Sequence, residues 1–122
     1  MTIRQVMSSV VVFALLAGVV GAQGHHYSLK ITNASKYDIY HLYLTSSDDR
    51  HWGPDQLRDD IIGSDGGSFT LTGLQTAEYD VKFVDEDGDD CVLQNIQITG
   101  DTSWTLTTDW LVRCEFHQHG AN

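Results

Sequence analysis

The sequence predicts an all-β protein, a small antiparallel β-sandwich of six to seven strands that follows an N-terminal signal peptide. Short segments rich in β-branched and aromatic residues alternate between apolar and polar side chains, which is the period of a strand with one buried face. Turn-forming Gly and Asp residues separate these segments at regular spacing. The 122 residues suit one domain rather than two. A small closed β-barrel is the alternative architecture.

The first 22 residues have the layout of a secretory signal peptide. Arg4 precedes an apolar run from Val10 to Val20, and small residues follow up to Ala22. The run is shorter than the ~20 residues that a membrane-spanning helix needs. We therefore expect residues 1–22 to be removed on export, residues 23–117 to form the β-sandwich domain, and residues 118–122 to be a disordered tail. The mature protein is expected to be secreted or periplasmic, with no stable membrane insertion.

Four strands are predicted in the first part of the mature chain. Residues 27–32 alternate between apolar and polar side chains, as a strand with one solvent-facing side does. Residues 38–45 are rich in β-formers and predict a more buried strand. Residues 68–72 alternate again, with Phe69 and Leu71 facing inward, and residues 78–84 place Tyr79, Val81 and Phe83 on one face.

Three further strands are predicted at residues 91–98, 102–107 and 110–116, the last of which is expected to close a sheet. One segment, residues 54–61, has the features of a short helix. Pro54 suits the first helical position, and Asp55 suits the first turn.

A net charge of −10, from 7 basic and 17 acidic residues, limits the classes of partner. Nucleic-acid binding and adhesion to anionic membranes both depend on Lys and Arg, so both are disfavoured. Cations, basic proteins and neutral ligands remain compatible with this charge. The sequence has neither a G-x-S-x-G elbow nor an H-E-x-x-H pair, and we expect no enzyme activity.

Cys91 and Cys114 are the two cysteines of the chain. In an oxidising compartment an isolated pair is most simply one disulfide, and no C-x-x-C spacing indicates a redox or metal site. We expect the Cys91–Cys114 bond to stabilise the domain by about 3 kcal/mol through the loop that it closes.

The turn from Asp85 to Asp90 is the most acidic part of the sequence. Carboxylates on alternate residues of a tight turn can converge on a hard cation, so Asp85, Asp87, Asp89 and Asp90 are candidate calcium ligands. The turn is not an EF-hand loop, since Asp90 stands at its sixth position and Ile96 at its twelfth, where Gly and Glu are required. The alternative is a solvated hairpin turn whose charge keeps the protein soluble.

The motif from Trp52 to Leu57, WGPDQL, also has two interpretations. In the structural one, Trp52 and Leu57 close an end of the sandwich while the Asp55 carboxylate binds backbone N–H groups. In the functional one, Trp52 contacts a ligand that Asp55 orients.

Three segments of the chain follow one another in a known order: residues 39–47, the WGPDQL motif, and the stretch Tyr79 to Gly88. The chain resembles a group of small exported bacterial proteins with the patterns LYxS, WGxDxL and YDxxxxDxDG, a group that is largely uncharacterised. The resemblance covers roughly residues 29–98. It implies a single β-sandwich module after a signal peptide, and it implies no enzyme activity.

These observations favour an exported, non-catalytic binding or structural module, with calcium as its expected cofactor and an unknown protein or small ligand as its partner. One alternative is a periplasmic copper- or nickel-binding protein that uses the terminal histidines His25, His26, His117 and His119. Another is an acidic inhibitor that docks on the basic cleft of an enzyme.

Overall fold

The computed structural model describes residues 25–119, so the predicted signal peptide and residues 120–122 of the predicted tail lie outside the described residues. The described part of the chain contains six β-strands followed by one helix. Their bounds are β1 Tyr27–Ala34, β2 Ile39–Ser46, β3 Gly67–Leu74, β4 Ala77–Asp85, β5 Asp90–Ile98, β6 Thr102–Thr107 and α1 Thr108–His119. The helix is not long and apolar enough to cross a membrane.

The strands form two three-stranded sheets, which confirms the all-β sandwich. One sheet has the order β3-β1-β6 and the other has the order β2-β4-β5. The pairings are antiparallel except that of β1 with β6, which is parallel. The parallel pair is a departure from the fully antiparallel arrangement that the sequence predicts.

The core lies between the two sheets and follows from the alternation of the strands. Ile31 at the centre of β1 is opposite Phe69 on one side and Trp104 on the other. Phe83 in the central strand β4 is fully buried, and its ring meets the ring of Trp104 edge-on with 6.4 Å between centroids. Side chains from both sheets therefore fill one core, and burying an aromatic ring of this size contributes about 2–3 kcal/mol.

The predicted seventh strand, residues 110–116, is wrong, because this segment lies within α1. The Thr107 hydroxyl accepts a hydrogen bond from the N–H of Trp110, so Thr107 caps the helix. Asp109 and Arg113 form an ion pair one helical turn apart. The helix also extends to His119, beyond the domain boundary predicted at His117.

The helix predicted over residues 54–61 is also wrong, since the segment consists of bends and turns. Arg58 has a φ of 57°, which an α-helix excludes. Leu42 accounts for the different conformation: its carbonyl oxygen accepts the N–H of Gln56, and its own N–H donates to the Asp55 carboxylate. The segment is thus held against β2, and the buried Leu57 closes the core there.

Candidate metal centre

The turn between β4 and β5 is organised by Asp85, the last residue of β4. Oδ1 of Asp85 accepts hydrogen bonds from the N–H groups of Asp87 and Asp89, at 2.9 and 3.1 Å. The Asp85 N–H donates to the carbonyl oxygen of Asp89, and Gly88 adopts a φ of 84°, where a residue without a Cβ is favoured. These contacts wrap the turn around the Asp85 side chain, which is 2% exposed.

Three of the four predicted ligands come together in this turn. One carboxylate oxygen from each of Asp85, Asp87 and Asp89 lies within 4.8 Å of the other two. Asp90 is not a member of this group; it begins β5 opposite Val84, one residue further along the chain. Among the residues that the structure describes, no second group of three or more acidic, His or Cys side chains comes this close.

A fourth carboxyl group reaches the same place from the C-terminal helix. Glu115 of α1 lines a cavity of about 340 Å³ together with the three aspartates, which we call the acidic cavity. Its side chain is 9% exposed, and its Oε2 is buried without a hydrogen-bond partner. Tyr37, Val112 and Phe116 form the remaining wall of the acidic cavity.

The surroundings of Glu115 strongly disfavour its charged form. Burial raises the pKa of this carboxyl to about 8, with a hydrogen bond to Asp85 and the charges of Asp85, Asp89 and Asp87 adding to the rise. The Glu115 carboxyl is therefore stable here only if a proton neutralises it or a cation accompanies it. A buried oxygen with no partner is the kind of atom that a bound cation satisfies.

Sequence reasoning missed Glu115, although one signal pointed to it. Glu115 directly follows Cys114, and Cys91 directly follows Asp90. Cys91 and Cys114 form the predicted disulfide, with their Cα atoms 5.4 Å apart, so that prediction is confirmed. A bond between these two cysteines brings Glu115 to the side of the acidic turn.

The donor set of the acidic cavity is chemically uniform. Carboxylate oxygens are the ligands of hard cations, whereas zinc and copper sites use His nitrogen or Cys sulfur. Calcium takes about 6–8 oxygens in flexible geometry, while magnesium demands a near-ideal octahedron of shorter bonds. Asp85 is buried and fixed, whereas Asp87 and Asp89 are exposed. This combination suits the flexible coordination of calcium better than the strict octahedron of magnesium.

Asp55, predicted as a ligand-binding residue, makes its hydrogen bonds within the protein. Its Oδ1 accepts the N–H groups of Leu42 and Leu57, both at 3.0 Å, and its Oδ2 lies 2.7 Å from Nδ1 of His41. Burial by itself raises the pKa of Asp55, but the hydrogen bonds from Leu42, His41 and Leu57 outweigh it and lower the pKa. This geometry is that of the structural interpretation of the WGPDQL motif.

Trp52 is half-buried and already has a cationic neighbour. The Lys82 ammonium lies 5.2 Å from the centroid of the Trp52 ring and 5.0 Å from that of Tyr43. Such a cation–π contact contributes roughly 0.5–1 kcal/mol at an exposed site. Trp52 therefore helps to fix the loop against the outer face of the β2-β4-β5 sheet.

The four terminal histidines are dispersed along the ends of the domain. His25 and His26 are exposed and precede β1. His117 and His119 belong to the last turn of α1, and the structure does not describe side chains beyond residue 116. Positions two apart on a helix lie about 200° apart around the axis, not on one side as in an extended strand.

No protein-family model, curated protein or solved structure matches this chain. The resemblance based on the WGPDQL and YDVKFVDEDG segments thus stays a prediction.

Proposed function

We propose that this protein is an exported, non-catalytic binding or structural module whose fold is stabilised by a calcium ion in the acidic cavity. The observation that carries the proposal is the buried, unpartnered Oε2 of Glu115, which faces three aspartate carboxylates. Asp85, Asp87 and Asp89 supply the ligands of the turn, and Glu115 supplies a ligand from the helix.

The expected size of the effect follows from ligand linkage. Calcium modules that work outside cells bind with dissociation constants of about 10⁻⁴ to 10⁻³ M. At about 10 mM calcium, a ligand of this affinity that binds only the folded state raises the free energy of unfolding by roughly 1.4–2.7 kcal/mol. For a domain of this size that corresponds to a rise in melting temperature on the order of 10 °C.

The test uses the exported protein, purified with its disulfide intact. Calorimetric titration with calcium and thermal melting in calcium or in chelator should show saturable binding and the rise in melting temperature. Titration with magnesium should show weaker binding. No heat and no melting shift at 10 mM calcium would reject the proposal.

Matched charge variants separate the site from general charge screening. The double variant Asp87→Asn/Asp89→Asn removes two exposed carboxylates of the acidic cavity. The double variant Asp59→Asn/Asp60→Asn removes two exposed carboxylates elsewhere. We expect the first pair to lose most of the calcium response and the second pair to retain it. Equal responses in both would show that calcium only screens the negative charge of the protein.

A further inference from the structure

Few apolar side chains hold the C-terminal helix against the sheets. Among the side chains of α1 that the structure describes, Leu111 is the one apolar residue that is completely buried. In the first turn, Trp110 retains 36% of its surface and meets the ring of Phe83 edge-on, with 6.5 Å between centroids. Further along, Val112 and Phe116 retain 44% and 58% of their surface. Apolar burial therefore contributes modestly to the position of the second half of the helix.

Glu115 makes this weak attachment weaker. It lies one helical turn after Leu111 and is buried on the same side of the helix. There it faces the carboxylates of Asp85, Asp87 and Asp89 across the acidic cavity. Without a cation, this buried position beside three carboxylates disfavours a charged Glu115, so the ionised side chain favours movement of this end of the helix away from the turn.

The Cys91–Cys114 disulfide opposes movement of this end of the helix away from the acidic turn. Cys114 precedes Glu115, and Cys91 is two residues beyond Asp89, as the second residue of β5. The bond between them therefore ties the helix wall of the acidic cavity to its turn wall. It adds a covalent attachment in the second half of the helix, where Val112 and Phe116 are exposed.

We propose that the Cys91–Cys114 bond and the bound cation are thermodynamically coupled: closing the disulfide assembles the cation site, and the bound cation protects the disulfide from reduction. This inference rests on the proposed function, since it concerns the same acidic cavity. Coupling between two equilibria is reciprocal, so the factor by which oxidation tightens calcium binding equals the factor by which calcium opposes reduction.

The redox step is the ordinary exchange with a dithiol. The Cys91–Cys114 bond takes up two electrons and two protons and becomes two thiols, while the dithiol loses them and closes into a disulfide. Calcium changes neither its charge nor its electrons. In the reducing cytoplasm, before export, the chain carries two thiols and binds the ion more weakly by the same factor. Calcium binding is thereby favoured in the oxidised, exported form.

The main experiment measures how calcium changes the reduction equilibrium. The oxidised protein is equilibrated with increasing dithiothreitol in chelator or in saturating calcium, and free thiols are quantified after rapid acid quenching. We expect calcium to raise the dithiol concentration at half-reduction at least tenfold. Calorimetric titration of the Cys91→Ser/Cys114→Ser variant should show a calcium dissociation constant raised by a similar factor.

Two variants distinguish this coupling from general stabilisation of the folded protein. Glu115→Gln removes the charged ligand of the helix, and we expect the protection by saturating calcium to fall below twofold. Asp87→Asn removes a ligand of the turn and leaves Glu115 in place. We expect Asp87→Asn to need a higher calcium concentration for saturation. Once saturated, it should keep most of the protection of the disulfide from reduction.

The outcomes separate the two proposals. An oxidised protein that binds calcium with an unchanged half-reduction point would overturn the coupling and leave the calcium site intact. Equal protection in the wild type and in Glu115→Gln would also overturn it, since only global stabilisation would remain. An oxidised protein that binds no calcium would overturn both. If the double Cys variant does not fold, the reduction equilibria of the wild type and Glu115→Gln decide, because neither lacks the disulfide.

Discussion

Replacing Glu115 by Gln should stabilise the protein in the absence of calcium, although Glu115 is a proposed ligand. The carboxyl group is buried beside three aspartates, and its Oε2 has no hydrogen-bond partner. In the unfolded chain the same carboxyl is hydrated and ionises freely. Gln keeps the shape of the side chain and cannot ionise, so ionisation no longer favours the unfolded state.

The magnitude follows from the pKa of Glu115, which is raised from 4.5 to about 8 in the folded protein. At pH 7, which is about 2.5 units above the pKa of the unfolded chain, the carboxyl is ionised in the unfolded chain and still largely protonated in the folded protein. Each of these pH units favours the unfolded state by about 1.4 kcal/mol. The wild type is thus less stable by about 3 kcal/mol than a protein without this titration. Because the folded pKa is the higher one, the wild type keeps its stability below pH 4.5, loses it between pH 4.5 and 8, and changes no further above pH 8.

Urea unfolding of Glu115→Gln and the wild type, followed by tryptophan fluorescence in chelator at pH 4 and pH 7, measures this directly. We expect the variant to be more stable by up to about 3 kcal/mol at pH 7 and to lose this advantage at pH 4. Asp59→Asn, an exposed site with the same change of charge, is the control and should show neither effect. A variant that is no more stable at pH 7, or equally more stable at pH 4, would refute the account of the acidic cavity. Calcium at about 10 mM should narrow this difference at pH 7, because only the wild type then gains the helix ligand.

Other parts of the structure make their own predictions. Asp55→Asn should destabilise the fold by roughly 1–3 kcal/mol at pH 7, because the N–H groups of Leu42 and Leu57 lose a charged acceptor. Since the folded pKa of Asp55 is lowered, this difference should be present above pH 3.8 and shrink as the pH falls below that value, which urea unfolding at pH 7 and pH 2.5 would check. Phe83→Ala should lower the free energy of unfolding by about 3–5 kcal/mol, and an unchanged melting temperature would contradict the burial of this ring between the sheets. Thr107→Ala should reduce stability by about 1 kcal/mol through loss of the helix cap, measured as a lower urea midpoint with an unchanged slope.

Local pattern is enough to predict the six strands. The strands β1, β4 and β6 alternate over 6 to 9 residues, and a segment with one face toward the core needs that alternation wherever it lies in the fold. Residues 38–45 are instead predicted by their β-forming residues. The same reasoning failed for α1, because a mixture of apolar and polar residues such as Trp110 to Phe116 suits both a strand and a helix. The cap at Thr107 and the Asp109–Arg113 pair are the local signals that favour the helix.

The parallel pairing of β1 with β6 does not follow from the local sequence pattern of either strand. Ile31 and Trp104 are opposite each other in the sheet, but four other strands lie between them in the chain. Neither strand carries a feature that selects the other as its neighbour. Strand order depends on which arrangement of all the strands buries the most apolar surface, and this is a property of the whole domain.

The sequence by itself determined the acidic turn and the cysteine pair. Asp85, Asp87 and Asp89 are neighbours along the chain, so a tight turn brings their carboxylates together whatever the rest of the fold does. Only the tertiary structure decided that Glu115 completes the group, because its position depends on the helix, on the burial of Leu111 and on the Cys91–Cys114 bond. A charged side chain that looks exposed in sequence becomes a buried part of the acidic cavity when packing and a covalent link hold it against the turn, and its Oε2 has no hydrogen-bond partner there.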